Sequence, residues 1–226
     1  VYGTPLTMGL VGNKLKEHNL VSSARLNVVN AGDVVKMGCM DVELIHVNHS
    51  IPDSVGVAIH TPAGTLVHTG DFKIDCTPAA GTITDLTRFA ELGKEGVLAL
   101  MADSTNAERP GYTKTEAKVQ ESFERLFVRA QNRRIIIATF ASNINRIQQI
   151  VNCAYANNRK VAFSGRSMLN YMQVATELGY VDVPQGVIID IDSLNQYTPE
   201  QIVLVTTGSQ GLSLIHISEP TRQEAI

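Results

Sequence analysis

Cysteine is scarce: Cys39, Cys76 and Cys153 are the three in 226 residues, odd in number and without the spacing of a metal-binding cluster. That excludes a disulfide framework and reads as buried or incidental thiols in a reducing compartment. No apolar run approaches the roughly 20 residues that would span a membrane, and no signal-peptide pattern opens the chain, which points to a soluble cytoplasmic protein. Also absent are G-x-G-x-x-G, G-x-x-x-x-G-K-[ST] and G-x-S-x-G. Dinucleotide binding, P-loop chemistry and serine-hydrolase chemistry therefore have no support. What is present is enough apolar material, 44% of the residues, to bury a substantial core in one or two domains.

Thr4-Pro5 reads as an N-cap followed by proline at the first helical position, predicting a helix to about His18. Strand-like runs follow at 26–29, 34–37, 42–47, 55–61 and 65–69. The last two, V-G-V-A-I-H-T and T-L-V-H-T, are joined by Pro62-Ala63-Gly64 and read as a hairpin. A helix over 83–92 and a buried strand over 97–101 complete a sheet-rich first part. Beyond Asn106 the pattern alternates. Thr113-Lys114-Thr115-Glu116 has capping-box spacing and opens a helix that would bury Val119, Phe123, Leu126, Phe127 and Ala130. A strand over 134–139, a helix over 143–156, a strand over 160–164, a helix over 167–178 and short buried strands at 187–189 and 202–206 follow. Such alternation predicts a mainly parallel sheet with helices on both faces. Ligand groups in such sheets gather beyond the carboxyl ends of the strands, where Ser142, Gly165-Arg166 and Gly208-Ser209 fall.

The chemistry centres on His49, in H-S-I-P-D at 49–53, and Asp71, in H-T-G-D-F-K at 68–73. His49 precedes the first hairpin strand and Asp71 follows the second, so antiparallel pairing brings the two together, with Gly70 allowing a sharp turn. Neutral imidazoles and a bridging carboxylate are what a two-zinc site needs, and such a site activates water against a phosphodiester. Each residue also has a plainer reading: His49 as a hydrogen-bonded structural histidine, Asp71 as a turn residue. His46 and His49 form H-x-x-H, but on an extended segment that spacing sends the side chains to opposite faces.

Net charge is −3, unevenly spread. Residues 1–103 carry seven Lys/Arg against eleven Asp/Glu, and residues 104–211 carry eleven against nine. A slightly basic second part suits phosphate contacts, for which Arg125, Arg129, Arg133, Arg134, Arg146, Arg159, Lys160 and Arg166 are candidates, most of them solvated surface charges.

Read in full, H-S-I-P-D-S-V-G-V at 49–57, V-H-T-G-D-F-K at 67–73, A-D-S-T-N-A-E-R-P-G-Y-T at 102–113, T-F-A-S-N-I-N-R-I-Q-Q at 139–149, F-S-G-R-S-M at 163–168 and T-T-G-S-Q-G at 206–211 resemble, in order, the bacterial ribonuclease J family. That family belongs to the β-CASP branch of the metallo-β-lactamase fold. The resemblance implies an α/β protein: a partial metallo-β-lactamase αββα sandwich over 1–106, then a partial β-CASP domain over 107–211. It implies that His49 ligates one zinc, that Asp71 bridges two, and that Asp103 acts with Asp71 in catalysis, orienting histidine ligands. Asp103 also has a plainer reading as a turn or helix-capping acid. Phe140, Ala141, Ser142 and Asn143 match the family's substrate-contacting segment, Ser142 and Asn143 also reading as a helix N-terminus. Arg166 and Ser209 complete the implied substrate set. Asn145 stands where some members carry histidine.

The family's H-x-H-x-D-H run and its later motif histidines are not in this sequence. With two implied ligands, the chain by itself is expected neither to hold two zincs nor to cleave RNA. Residues 212–226, beginning L-S-L-I-H-I-S-E-P-T-R, resemble the translation of a sequencing adapter and read as a non-native tail. The intact protein is implied to be an endonuclease and 5′-to-3′ exonuclease of RNA processing and decay. It would need zinc, bind RNA, avoid membranes and form a homo-oligomer, with other RNA-decay factors as further partners. Two alternatives remain: a small-ester or amide hydrolase of the same fold, against which the second part speaks, and a non-catalytic RNA-binding relative.

Overall fold

Two compact units make up the chain, Val1–Val119 and Gln120–Ile226. The computed structural model describes residues 1–78, 81–105, 107–113 and 115–207. In the first unit, β1 (Tyr2–Gly3) leads into helix α1 (Pro5–Glu17), with Thr4 at the N-cap and proline in the first turn as the sequence predicts. The Thr4 side chain does not cap that helix, however. The Leu6 N–H donates instead to Asp53 Oδ2 at 2.8 Å, so the acid of H-S-I-P-D closes a helix end 47 residues away.

Five strands then form one sheet. β3 (Val34–Met37), β4 (Met40–His46), β5 (Val55–Thr61), β6 (Gly64–His68) and β7 (Val97–Met101) are hydrogen-bonded in sequence order. The first four pair antiparallel and β7 joins β6 in parallel, while β2 (Asn27–Val28) pairs in parallel with β1. Alternation along the strands sends Glu43, Ile45, Ala58, His60 and Val67 to one face. Helix α2 (Leu86–Glu95) covers that face with Phe89 and Leu92, and Ile45, Ala58, Val67 and Leu92 form a dry core. Each fully buried aliphatic side chain of this kind contributes about 1.5–3 kcal/mol. The same interface holds a charge cluster. Arg88 donates from Nε to Glu43 Oε1 at 2.6 Å and from a terminal nitrogen to Oε2 at 3.0 Å, and His60 Nε2 lies 2.9 Å from Oε2. The Arg88 hydrogen bonds hold the Glu43 carboxyl below its usual range against the opposing effect of burial.

Two expectations fail here. The helix predicted over 83–92 starts at Leu86, because Asp85 is its N-cap and Thr82 and Thr84 bond to His46 at the end of β4 and to Asn48 just beyond it. Strand β7 is not buried: it is the sheet edge, and Leu98 and Leu100 are 64% and 63% exposed.

In the second unit, β8 (Ile135–Ala138), β9 (Lys160–Ser164), β10 (Ile188–Ile189) and β11 (Ile202–Thr206) form a parallel sheet in the order β10-β9-β11-β8. Every residue of β11 is buried, as a central parallel strand requires. Helices α4 (Ile144–Ala156) and α5 (Arg166–Glu177) pack on β9. Helix α3 (Glu116–Arg129) begins in the first unit and runs into the second. Its first residue is Glu116, so Thr113 lies outside the capping position its spacing suggests. Of its predicted apolar face only Phe127 is fully buried, and Leu126 is exposed. Cys153 is buried, and Cys39 and Cys76 are exposed.

Arg159, one of the eight basic candidates for phosphate contact, is 4% exposed. Its guanidinium donates to the carbonyls of Ala130 at 2.6 Å, Arg133 at 2.9 Å and Gln131 at 3.3 Å, closing the chain after α3, so it is not available to RNA. Lys160 likewise donates to the Gly186 carbonyl at 2.6 Å. Replacing Arg159 by Met strands those carbonyls in a buried setting and is expected to cost roughly 2–4 kcal/mol in urea unfolding; an unchanged midpoint would show that water replaces the guanidinium. Leu100→Lys on the open edge strand is expected to reduce self-association of this chain in sedimentation without lowering its melting temperature.

Candidate metal and nucleic-acid site

The register of the five-stranded sheet decides where its loops end. His46 pairs with Val55, Val57 with His68, and His68 with Met101. The last residues of β4, β6 and β7 and the first of β5 therefore share one edge. Residues 47–54, 69–75 and 102–105 all emerge from that edge, carrying His49, Asp71 and Asp103 respectively.

Short-range chemistry ties these loops together. Thr69, buried, donates its N–H to the Met101 carbonyl at 3.0 Å, and its Oγ1 accepts the Asp103 N–H at 3.0 Å while donating to the Gly70 carbonyl at 2.8 Å. Gly70 turns the chain at φ +63°, and a side chain there would strike the Val55 carbonyl at 2.8 Å, so the position requires glycine. Its N–H donates to His68 Nδ1 at 2.9 Å. Lys73 N–H donates to the Asn48 carbonyl at 2.7 Å, fastening the Asp71 loop directly beside His49.

Asp103 Oδ1 accepts from the Thr105 hydroxyl at 2.6 Å and the Thr105 N–H at 3.0 Å. These bonds, with a further one from the Phe72 N–H and the nearby His49 imidazole, lower its pKa from the ordinary aspartate value. Asp103 is thus a turn-forming acid, as its plainer reading has it, and also meets the Asp71 and His49 loops. His49 and Asp71 are exposed. His49 Nδ1 lies 3.2 Å from Ser50 Oγ; the tautomer that donates from Nδ1 leaves the Nε2 lone pair open. A cleft of about 390 Å³ adjoins this edge, lined by Phe72, Lys73, Ile74, Asp103, Thr105 and Tyr112 among others.

One imidazole and two carboxylates are donors of the right kind for zinc. They fall short in number: among the described residues no three His, Cys, Asp or Glu side chains are grouped so as to hold a metal ion.

The described residues predicted to meet substrate in the second unit also follow strand ends at one edge. The strand ends Ala138, Ser164 and Thr206 are in register. Phe140 is exposed beyond β8, and Ala141 is buried. Ser142 is half-buried, and Asn143 caps α4 by accepting the Arg146 N–H at 3.0 Å. Arg166, exposed, opens α5 behind Gly165, whose φ is +106°. Asn145 is buried. Gly208, Ser209 and residues 212–226 lie outside the described residues.

A family model described as "Ribonuclease J, beta-CASP domain" matches residues 132–224, a span that runs through most of the segment set aside as adapter-like. Ribonuclease J of Helicobacter pylori (strain ATCC 700392 / 26695) is 43% identical over 212 residues, 93% of this chain and 31% of that protein. Ribonuclease J2 of Bacillus subtilis (strain 168) is 42% identical over 93% of this chain and 38% of its own length, and ribonuclease J of Thermus thermophilus is 43% identical over 96% and 38%. The chain belongs to the ribonuclease J family. It spans about a third of the length of these relatives. A crystal structure of a protein of unknown function from Enterococcus faecalis V583 shares the fold, with a TM-score of 0.63 at 15% identity over 93% of this chain and 53% of that one. Family membership accounts for the α/β architecture with its β-CASP part, as the sequence motifs imply. None of the described helices is long and apolar enough to cross a membrane.

Sequence reasoning missed the residues beneath the ribonuclease J motifs. Asp75, 3% exposed, accepts from the Glu116 N–H at 2.9 Å and the Thr77 N–H at 2.9 Å, and lies 3.3 Å from Lys73 Nζ, which also reaches Glu116 Oε1 at 3.2 Å. Burial raises the Asp75 pKa, but these partners outweigh it and leave the carboxyl below its ordinary value. The signal was the second acid in D-F-K-I-D, two residues from a lysine. With the folded pKa depressed, the stability Asp75 contributes is full above the unfolded carboxylate range and is lost as pH falls through the folded value. Asp75→Ala is expected to cost roughly 2–4 kcal/mol near neutral pH and to flatten the acid side of the stability curve. A mutant losing stability on acidification as steeply as the wild type would exclude Asp75 as a source of that loss.

Proposed function

We propose that this chain supplies one side of the active site of a zinc-dependent ribonuclease that hydrolyses RNA phosphodiesters in RNA processing and decay, cutting both internally and from 5′ ends. The observation that carries the reading is the convergence of His49, Asp71 and Asp103 at one sheet edge, within motifs of a family whose named members are ribonucleases. Zinc, when bound, would supply an activated water and positive charge opposite the phosphorane oxygens. His49 and Asp71 would be ligands, Asp71 the bridging one, and the other donors would come from parts of the protein outside this sequence.

The chain's own residues carry the rest. Asp103, held by Thr105 and the Phe72 amide, would orient a histidine and keep its negative charge across the working pH range. The cleft with Phe72 and Tyr112 beside Asp103 offers aromatic surface of the sort on which a base stacks. In the second unit, the Phe140–Asn143 segment and Arg166 would meet the RNA backbone, the N-terminus of α4 presenting N–H groups suited to phosphate. On this reading the protein works in the cytoplasm as a homo-oligomer, in company with other RNA-decay factors, and this chain alone is inactive.

The test is Asp71→Ala in the full-length protein, followed with 5′-monophosphorylated RNA and metal analysis. Zinc content is expected to fall and cleavage to drop by at least about 100-fold, of the order that ligand and supporting-residue changes produce. Full zinc content with full activity would remove Asp71 from the bridging role.

A further inference from the structure

The loops bearing His49 and Asp71 are joined by a closed ring of three hydrogen bonds whose third member lies on neither loop. The Asn48 N–H donates to Thr84 Oγ1 at 2.9 Å, the Thr84 hydroxyl donates to the Lys73 carbonyl at 3.1 Å, and the Lys73 N–H donates to the Asn48 carbonyl at 2.7 Å. Asn48 is the residue before His49, and Lys73 is two residues past Asp71. Thr84 and Asn48 are 3% and 8% exposed, so little water competes for these bonds.

Thr84 also stands on firm ground. It precedes Asp85, the N-cap of α2, whose own N–H donates to the His46 carbonyl at 3.0 Å. Helix α2 is seated on the sheet by Leu92 and by the Arg88–Glu43 pair. The loops are thus referenced to the scaffold through a β-branched side chain with restricted rotation. Among the described residues, the buried Asn48 Nδ2 has no hydrogen-bond partner.

We propose that Thr84 is a positioning residue, whose single hydroxyl sets the His49 loop against the Asp71 loop. Its donor and one acceptor position are consumed within the ring and it is buried, so it touches neither substrate nor metal. Its role in activity rests on the metal reading above; its role in holding the loops does not.

The experiment compares Thr84→Val, which keeps the shape and removes the hydroxyl, with Thr84→Ser, which keeps the hydroxyl, in the full-length protein; Thr84→Ala takes the place of the valine variant if that fails to fold. Amide hydrogen exchange is expected to quicken about tenfold or more across both 47–53 and 69–75 with valine, strands β4 to β6 staying protected, and to return with serine. Zinc affinity is expected to fall about 10–100-fold with valine, with kcat falling and KM for RNA held. Faster exchange confined to the Asn48 amide, or a serine variant as impaired as valine, would overturn the proposal. Wild-type protein that takes up no zinc, yet loses protection of both loops on substitution by valine, would sink the metal reading and support the positioning role.

Discussion

The pairing of β4, β5 and β6 is the constraint on which the candidate site depends. A one-residue slip of β4 along β5 would move Glu43 and Ile45 off the face that α2 covers and put Val42 and Leu44 in their place. Register is therefore held by burial of an apolar face, and the position of every loop beyond the edge is inherited from it. The parallel addition of β7 matters equally. Its carboxyl end falls beside that of β6, which is why Asp103 can bond to Thr69 while Asp71 follows two residues later. Four strand termini at one edge give a site assembled from three separated stretches of sequence.

Where the chain leaves regular structure, its polar backbone groups still need partners, and buried side chains provide them. Asp53 takes an N–H at the start of α1, Asp75 one at the start of α3, and Arg159 three carbonyls after the end of α3. These charges are enclosed, so each contact carries more weight than a surface ion pair would. They also explain why the motif segments hold more charged residues than ligation alone requires. In H-S-I-P-D the histidine faces outward and the acid faces a helix end, and in D-F-K-I-D the first acid is exposed while the second is sealed.

Much of this was legible in the sequence. Strands β3, β5, β7, β9 and β11 lie at the residues that β-branched and apolar runs suggest, and α1, α4 and α5 begin within a residue of their predicted starts. The edge position of Leu98 and Leu100 was not legible, because an apolar run reads as buried whatever covers it. The start of α2 was obscured by Thr82 and Thr84, whose bonds to His46 and Asn48 are far away in sequence. Arg159 looked like a surface cation because nothing local marks an arginine that will cap a helix end. That the loops carrying His49 and Asp71 come together was legible from hairpin logic, but the contacts of Thr69, Thr84 and Asp75 were not. Their roles arise from contacts made only after the sheet has formed.

The contrast between the two sides of the site has a physical reason. A metal ligand or a substrate contact must be open on one side, and His49 and Asp71 are exposed. An open loop is also mobile unless its backbone is fixed from below, and a displacement of about 1 Å at a catalytic group can cost 100-fold in rate. Buried hydroxyls suit that task. Each gives one donor and accepts in return, neutralises the polar backbone it touches, and introduces no charge that would disturb the carboxylates and imidazole above. Thr69 and Thr84 each accept from one loop's amide and donate to another carbonyl, linking the loops that bear His49, Asp71 and Asp103. On the proposed reading, the site's chemistry is set by the exposed residues, and its geometry by the buried hydroxyls beneath them.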